Sequence, residues 1–314
     1  MHVLSDGQRC RLKCRAGAQN WDGGCFEVVG AVDKMKNTVS YDELLANAKT
    51  EGHLVQLYDA DEELLTRNVT TYLSEGLKLG EGLLVVATSE HLEAIPRRLE
   101  ELGADYERAV REGRLVFLDA QETLDRFMID GQPDWDRFEG TVGSALRQVQ
   151  ARVNGIKLRV HGEMVGILWK AGHRPAALRL EKFWNKLLRS ITFNLFCTYP
   201  IDVFGDDFQL AEIDGLLCAH THLLPGGTEA DMESAVNRAM DEVLGPRAER
   251  LRPLIKANYR PSWAAIPQAE ALVLWLRNNL PDYAHEILDR ARQYYRASQR
   301  PKSMSVGSRI PELN

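Results

Sequence analysis

Nowhere in the 314 residues is there an apolar run approaching the roughly 18 to 20 residues of a membrane-spanning helix, and Met1-His-Val-Leu-Ser-Asp6 has no signal-peptide-like apolar stretch. A cytoplasmic protein is therefore expected. Cysteine is scarce: Cys10, Cys14, Cys25, Cys197 and Cys218 are the five, and Cys197 and Cys218 lie in apolar runs, which reads as buried, reduced thiol rather than a disulfide framework. There is no CxxC, no HExxH and no GxSxG, which removes the common zinc motifs and the hydrolase elbow. Also missing is the glycine-lysine loop with which nucleotide-binding proteins surround phosphate.

What stands in that loop's place is acid. His53-Leu-Val-Gln-Leu-Tyr58 reads as the first strand of a nucleotide-type fold, yet Asp59, Asp61, Glu62 and Glu63 follow it directly. Four carboxylates there repel a triphosphate, so the chain reads as a sensor or scaffold without NTP hydrolysis, and no cofactor is called for. Net charge is −6, unevenly spread. Residues 246–314 hold 12 Lys/Arg against 6 Asp/Glu, which leaves −12 on residues 1–245. The acidic body disfavours nucleic acid, while the basic C-terminal part leaves it open.

With 44% hydrophobic content the chain can bury a full core. Residues 1–36 show no periodicity and are expected to be a disordered, dispensable arm; a true start at Met35 is the alternative. From His53 onward, apolar runs alternate with amphipathic stretches. Leu54–Tyr58, Leu83–Ala87, Leu115–Leu118, Ile156–Val160 and Phe193–Tyr199 read as strands, and 59–78, 89–102, 120–129, 134–152, 162–171 and 174–189 as helices. Asp59 with Glu62 suggests a capping box for the first helix, Ser89 with Glu90 and Glu93 an acidic start for the second, and Pro96 a kink or late start there. The alternation implies a three-layer α/β fold around a mainly parallel sheet, over residues 37–226. Met232, Val236, Met240, Val243 and Leu244 share a helical face, opening an α-helical C-terminal segment over 227–302 before a flexible tail, 303–314. That face must pack on the body or on another subunit, so a homodimer surface is expected.

Four segments, His53-Leu-Val-Gln-Leu-Tyr58, Ala120-Gln-Glu-Thr-Leu-Asp-Arg-Phe-Met-Ile-Asp-Gly131, His161-Gly-Glu-Met-Val-Gly-Ile-Leu-Trp169 and Phe196-Cys-Thr-Tyr-Pro200, together resemble the MEDS family over roughly residues 50–225. That family is the sensory domain shared by a dichloromethane-responsive repressor and regulators of methanogens and methylotrophs. The resemblance implies a RecA/KaiC-like domain without its phosphate loop, and a role in sensing small organic compounds or signalling to a partner such as a histidine kinase.

A ligand site is expected at the carboxyl edge of the sheet, where open α/β sheets bind ligands, among Tyr58, His161, Glu163, Trp169 and Tyr199. For His161 and Glu163 the other reading is a helix-capping Glu beside a buried His; for Trp169 and Trp184 it is core packing. His220 and His222 form an H-x-H pair that is a weak metal candidate, with His161 or His173 as further ligands. Cys197 with His161 is a conceivable catalytic pair, though no orienting third group can be named. Arg247, Arg250, Arg252, Lys256 and Arg260 near Tyr259 and Trp263 are a basic cluster with no helix-turn-helix pattern. The chain thus reads as a sensory protein. A transcriptional regulator using the basic segment, or a small-molecule enzyme using His161 and Glu163, are the alternatives.

Overall fold

Strands that are apolar on both faces need cover on both, and only the interior of a sandwiched sheet supplies it. The computed structural model, which describes residues 41–46, 52–59, 62–154, 156–258 and 266–299, gives each of the five expected strands a place in such a sheet. In chain order the strands are β1 (His53–Tyr58), β2 (Gly82–Ala87), β3 (Leu115–Asp119), β4 (Met128–Ile129), β5 (Gln132–Pro133), β6 (Leu158–Gly162), β7 (Phe193–Pro200) and β8 (His222–Leu224). Six form one parallel sheet in the order β3-β2-β6-β7-β1-β8. β4 and β5 make a separate antiparallel hairpin. Its two-residue turn, Asp130-Gly131, has both φ angles positive (50° and 75°), the conformation that selects Asp-Gly.

On one face lie α1 (Tyr41–Ala46), α2 (Glu62–Lys78), α3 (Ser89–Glu101) and α4 (Tyr106–Arg111). Their Leu65, Tyr72, Ile95 and Leu99 pack against Leu54, Leu83, Val85 and Phe196 of the sheet. The other face carries α5 (Ala120–Phe127), α6 (Trp135–Phe138), a π-helical turn at Glu139–Gly143, α7 (Ser144–Arg152), α8 (Met164–Lys170), α9 (Arg174–Leu188) and α10 (Leu210–Ala219). α8 comes close to the sheet because Gly166 has no side chain: a Cβ there would sit 2.8 Å from the Thr198 carbonyl oxygen. Trp184 is fully buried among these helices, the core-packing outcome.

Beyond β8 the chain is helical: α11 (Glu229–Leu244), α12 (Arg247–Asn258), α13 (Gln268–Asn279) and α14 (Pro281–Gln299). Met232, Val236, Met240 and Leu244, expected to pack on the body or on another subunit, are buried within this chain, in the same core as Val273, Ile287 and Leu288. The amphipathic face is thus satisfied internally.

Boundaries differ from the sequence reading where side-chain chemistry overrides periodicity. α2 begins at Glu62, and the Asp59 carboxylate expected to cap it ion-pairs with Arg296 instead. α3 starts on time at Ser89 with Glu90 in its first turn and runs through Pro96. The fourth sheet strand begins two residues late, leaving Ile156 exposed. Residues 1–36, the 303–314 tail, and Tyr259, Arg260 and Trp263 of the basic cluster lie outside the described residues.

The strand order contains a reversal. The connections leaving β1 and β2 run over the first face toward β3, whereas those leaving β3, β6 and β7 return over the second. Adjacent strands β2 and β6 therefore send their chains in opposite directions, which opens a crevice between their carboxyl ends.

Candidate ligand site at the carboxyl edge

At that crevice stands Glu163, immediately after β6. Its Oε2 accepts from the backbone N–H of Thr88 at the start of α3 (2.7 Å), and its Oε1 is 2.7 Å from His91 Nδ1 and 3.1 Å from His161 Nε2. His161 Nδ1 is in turn 3.1 Å from the Phe196 carbonyl oxygen. The carboxylate is buried, yet it occupies the electropositive end of a helix between two imidazoles. Burial favours its neutral form, but the hydrogen bonds and charges of His161 and His91 outweigh this and hold it at about 2. For His91, burial pulls down and the Glu163 hydrogen bond and charge pull up more strongly, so its pKa is raised. His91 Nε2 is buried without a hydrogen-bond partner. Glu163 does cap a helix, but the helix is α3, reached across the sheet edge rather than along the chain. It fills with protein carboxylate the place a bound anion would take.

The five expected ligand residues do not converge on one pocket. Tyr58 and His161 belong to the α1–α4 side, where Tyr58 packs among Tyr41 and Phe196 and its hydroxyl pKa is pushed up by burial and then by Glu163, Glu62 and Glu90. Trp169 and Tyr199 belong to the opposite face and meet edge-on, ring centroids 5.6 Å apart. Tyr199 donates from its hydroxyl to Glu181 Oε1 (2.5 Å). Cys197 shares that face; its Sγ is 3.3 Å from His53 Nε2, so the conceivable pairing with His161 is not formed. The H-x-H pair also separates: His220 lies against His53 (ring centroids 4.0 Å) and near Glu181, while His222 Nδ1 meets Thr221 Oγ1. The closest set of potential metal ligands among the described residues contains His220 but not His222, His161 or His173.

An open cleft of about 370 Å³ lies beside the carboxyl ends of β1, β7 and β8, bounded on its far side by α14. Leu57, Val203, Phe204 and Met232 supply apolar wall; Asp59, Glu63, Asp202, Arg292 and Arg296 supply charge. Two ion pairs cross it, Arg296 Nη2 to Asp59 Oδ2 at 2.6 Å and Arg292 Nε to Asp202 Oδ2 at 2.8 Å. Burial and then the nearby Asp59 charge push the Asp202 carboxyl up. A concave site of this volume, with an apolar wall facing converging charged groups, suits a small organic molecule with a polar head. Periodicity reading missed Asp202, Arg292 and Arg296. The available signal was the charge asymmetry itself: the basic C-terminal segment meets the acidic strand ends of the body. Arg252 is likewise engaged, by Asp241 and Asn237, and Arg277 by the Phe204 and Gly205 carbonyl oxygens and Asp206.

No helix among the described residues is long and apolar enough to cross a membrane. No curated protein and no solved structure gives a significant match to this chain. Residues 52–221 match the family described as the methanogen/methylotroph, DcmR sensory domain. This span covers the whole parallel sheet except the last strand, and with it more than half of the chain, so the chain belongs to the MEDS family of sensory domains.

Proposed function

We propose that this MEDS domain is a ligand-responsive signalling module without NTP hydrolysis: it takes a small organic molecule bearing an acidic or strongly polar head into the cleft between the strand ends and α14. The observation that carries the reading is that both sides of the cleft are linked by Asp59–Arg296 and Asp202–Arg292, so an occupant alters two of the contacts between the C-terminal half of α14 and the strand ends. Magnitudes favour exchange. Arg296 is about half exposed, and such ion pairs contribute only about 0 to 1 kcal/mol each, so a ligand anion competing for the guanidinium faces a small cost. The C-terminal helices then present a changed surface to a regulator such as a histidine kinase.

Two features count against nucleotide binding. The crevice between β2 and β6 is filled by the Glu163 carboxylate, and the cleft holds the carboxylates of Asp59, Glu63 and Asp202 against two arginines, a balance that a single carboxylate displacing one of them from an arginine can meet and a triphosphate cannot. Of the basic cluster behind the DNA-binding alternative, Arg252 is engaged by Asp241, and further along the C-terminal segment Arg277, Arg290, Arg292 and Arg296 are likewise paired with the protein's own carboxylates.

Thermal melting of the full chain with a panel of short-chain organic acids and alcohols tests the reading. At least one acid should raise the melting temperature of the wild type and leave that of Arg292→Gln unchanged. A panel in which every compound acts equally on both proteins, or on neither, rejects this cleft as the sensory site.

A further inference from the structure

Four side chains from four separate elements meet in the core on the α5–α10 face. His53 opens β1, Cys197 lies within β7, Glu181 is on α9 and His220 follows α10; one donor atom from each lies within 4.8 Å of the others. All four are buried. His53 Nε2 is 3.3 Å from Cys197 Sγ and 3.3 Å from Glu181 Oε2, and His220 Nε2 is 3.4 Å from Glu181 Oε1.

The protons decide what the group is for. Asn185 donates its amide Nδ2 to the Ala219 carbonyl oxygen (3.0 Å), which fixes its Oδ1 as the end facing His53 Nδ1 at 3.2 Å. That oxygen only accepts, so His53 carries its proton on Nδ1. His220 Nδ1 is 2.7 Å from the Leu216 carbonyl oxygen, which also only accepts. Both neutral imidazoles therefore turn an Nε2 lone pair toward a carboxylate and a sulfur. The donors at hand are the Tyr199 hydroxyl, which is spent on Glu181, and the Cys197 thiol. His220 Nε2 and Glu181 Oε2 are left buried without a hydrogen-bond partner. Protonating both imidazoles would answer the lone pairs but would place two cations at rings only 4.0 Å apart.

The geometry points to a divalent metal site: His53 Nε2, His220 Nε2, Glu181 and Cys197 Sγ form an N2OS set for a tetrahedral, zinc-class cation. Borderline ions take imidazole, thiolate and carboxylate together, and each histidine already has the outer hydrogen bond, to Asn185 or to the Leu216 carbonyl, that orients metal-bound imidazoles. On binding, the Cys197 S–H bond breaks, the proton leaves to solvent and the sulfur lone pair goes to the metal. One dication with one thiolate and one carboxylate leaves the buried site neutral, and no oxidation occurs. With metal–ligand bonds of about 2.0 to 2.3 Å, tetrahedral donors stand about 3.3 to 3.6 Å apart; His53 Nε2 is already at that distance from Cys197 Sγ and Glu181 Oε2, and only the wider pairs, up to 4.8 Å, close by about 1 Å. Since the site is sealed in the core, the ion enters as the chain folds and ties β1, β7, α9 and the end of α10 together.

The test uses the full chain produced in cells grown with zinc or, separately, with cobalt supplementation, followed by elemental analysis and absorption spectroscopy. Wild type should carry about one metal per chain, with a thiolate-to-cobalt charge-transfer band in the near ultraviolet for the cobalt form. Cys197→Ser should lose that band, and Asn185→Ala should give up its metal to a competing chelator at about 10- to 100-fold lower chelator concentration. His222→Ala should behave as wild type. Metal-free wild type, or a cobalt spectrum without the thiolate band, overturns the proposal. Should Cys197→Ser fail to fold, the wild-type spectrum and the chelator competition of Asn185→Ala decide between the two outcomes.

Discussion

Glu163, from the end of β6, and His91, on α3, meet at 2.7 Å at the point where the sheet's connections diverge, and the same carboxylate accepts the Thr88 N–H. The pair ties the carboxyl ends of β2 and β6 together.

Its pH dependence follows from the two shifts. Glu163 is depressed to about 2, so its contribution is complete above the ordinary carboxylate range and is lost as pH falls toward 2. His91 is raised above its ordinary 6.5, so its contribution is complete below 6.5 and is lost as pH rises through the raised value. Glu163→Gln should therefore cost most, about 1 to 3 kcal/mol, at about pH 5 to 6, and less on either side. Urea unfolding of both proteins across pH measures this. A stability difference that does not vary with pH would contradict the assignment.

How far this was readable beforehand varies with the kind of signal. The parallel sheet was legible because Val85, Val86 and Leu195 sit in runs apolar on both faces, and the helices between them had clear periods. β8 was missed because His222–Leu224 is three residues long, shorter than any periodicity test, and the hairpin was missed although Asp130-Gly131 marks its turn. Among site residues, Glu163 and His161 could be placed at a strand end from local pattern. His91 could not, since it is brought in by α3, and its closeness to Glu163 depends on the strand order. The His53, Glu181, Cys197 and His220 group spans 168 positions of sequence and has no spacing motif; of the H-x-H pair, His220 is in the group and His222 is not.

Glu270 of α13 is fully buried, accepts the Gly226 N–H at 2.8 Å, and is raised to about 7 by burial. A raised acid contributes fully below its ordinary value and loses that contribution as pH rises through 7. Glu270→Gln keeps an acceptor for Gly226 and avoids burying a charge. It should match wild type near pH 4 and exceed it by about 3 kcal/mol at alkaline pH, equal stability at all pH being the contrary result.

Arg159 in β6 is 1% exposed, ion-pairs with Glu81, and donates to the Leu45, Tyr72 and Ala46 carbonyl oxygens. Removing one partner strands a buried charge, so Glu81→Leu should cost about 3 to 5 kcal/mol, and adding Arg159→Met should recover much of it. Denaturant unfolding of the single and double variants checks this. A single-variant cost below about 1 kcal/mol would show that water reaches the site.

Mg-ATP should not bind, because Asp59 and Glu63 border the end of β1 and Glu163 fills the crevice between β2 and β6. Calorimetric titration that yields a micromolar dissociation constant would refute this.

Under the proposed function, occupancy of the cleft at the carboxyl edge is read out through α14. Amide hydrogen exchange over residues 281–299 of the full chain, with and without the panel of short-chain organic acids, tests it most directly. The account predicts that at least one acid changes exchange in α14 of the wild type and not of Arg292→Gln. Exchange in α14 that no acid alters, or that changes equally in both proteins, would contradict it.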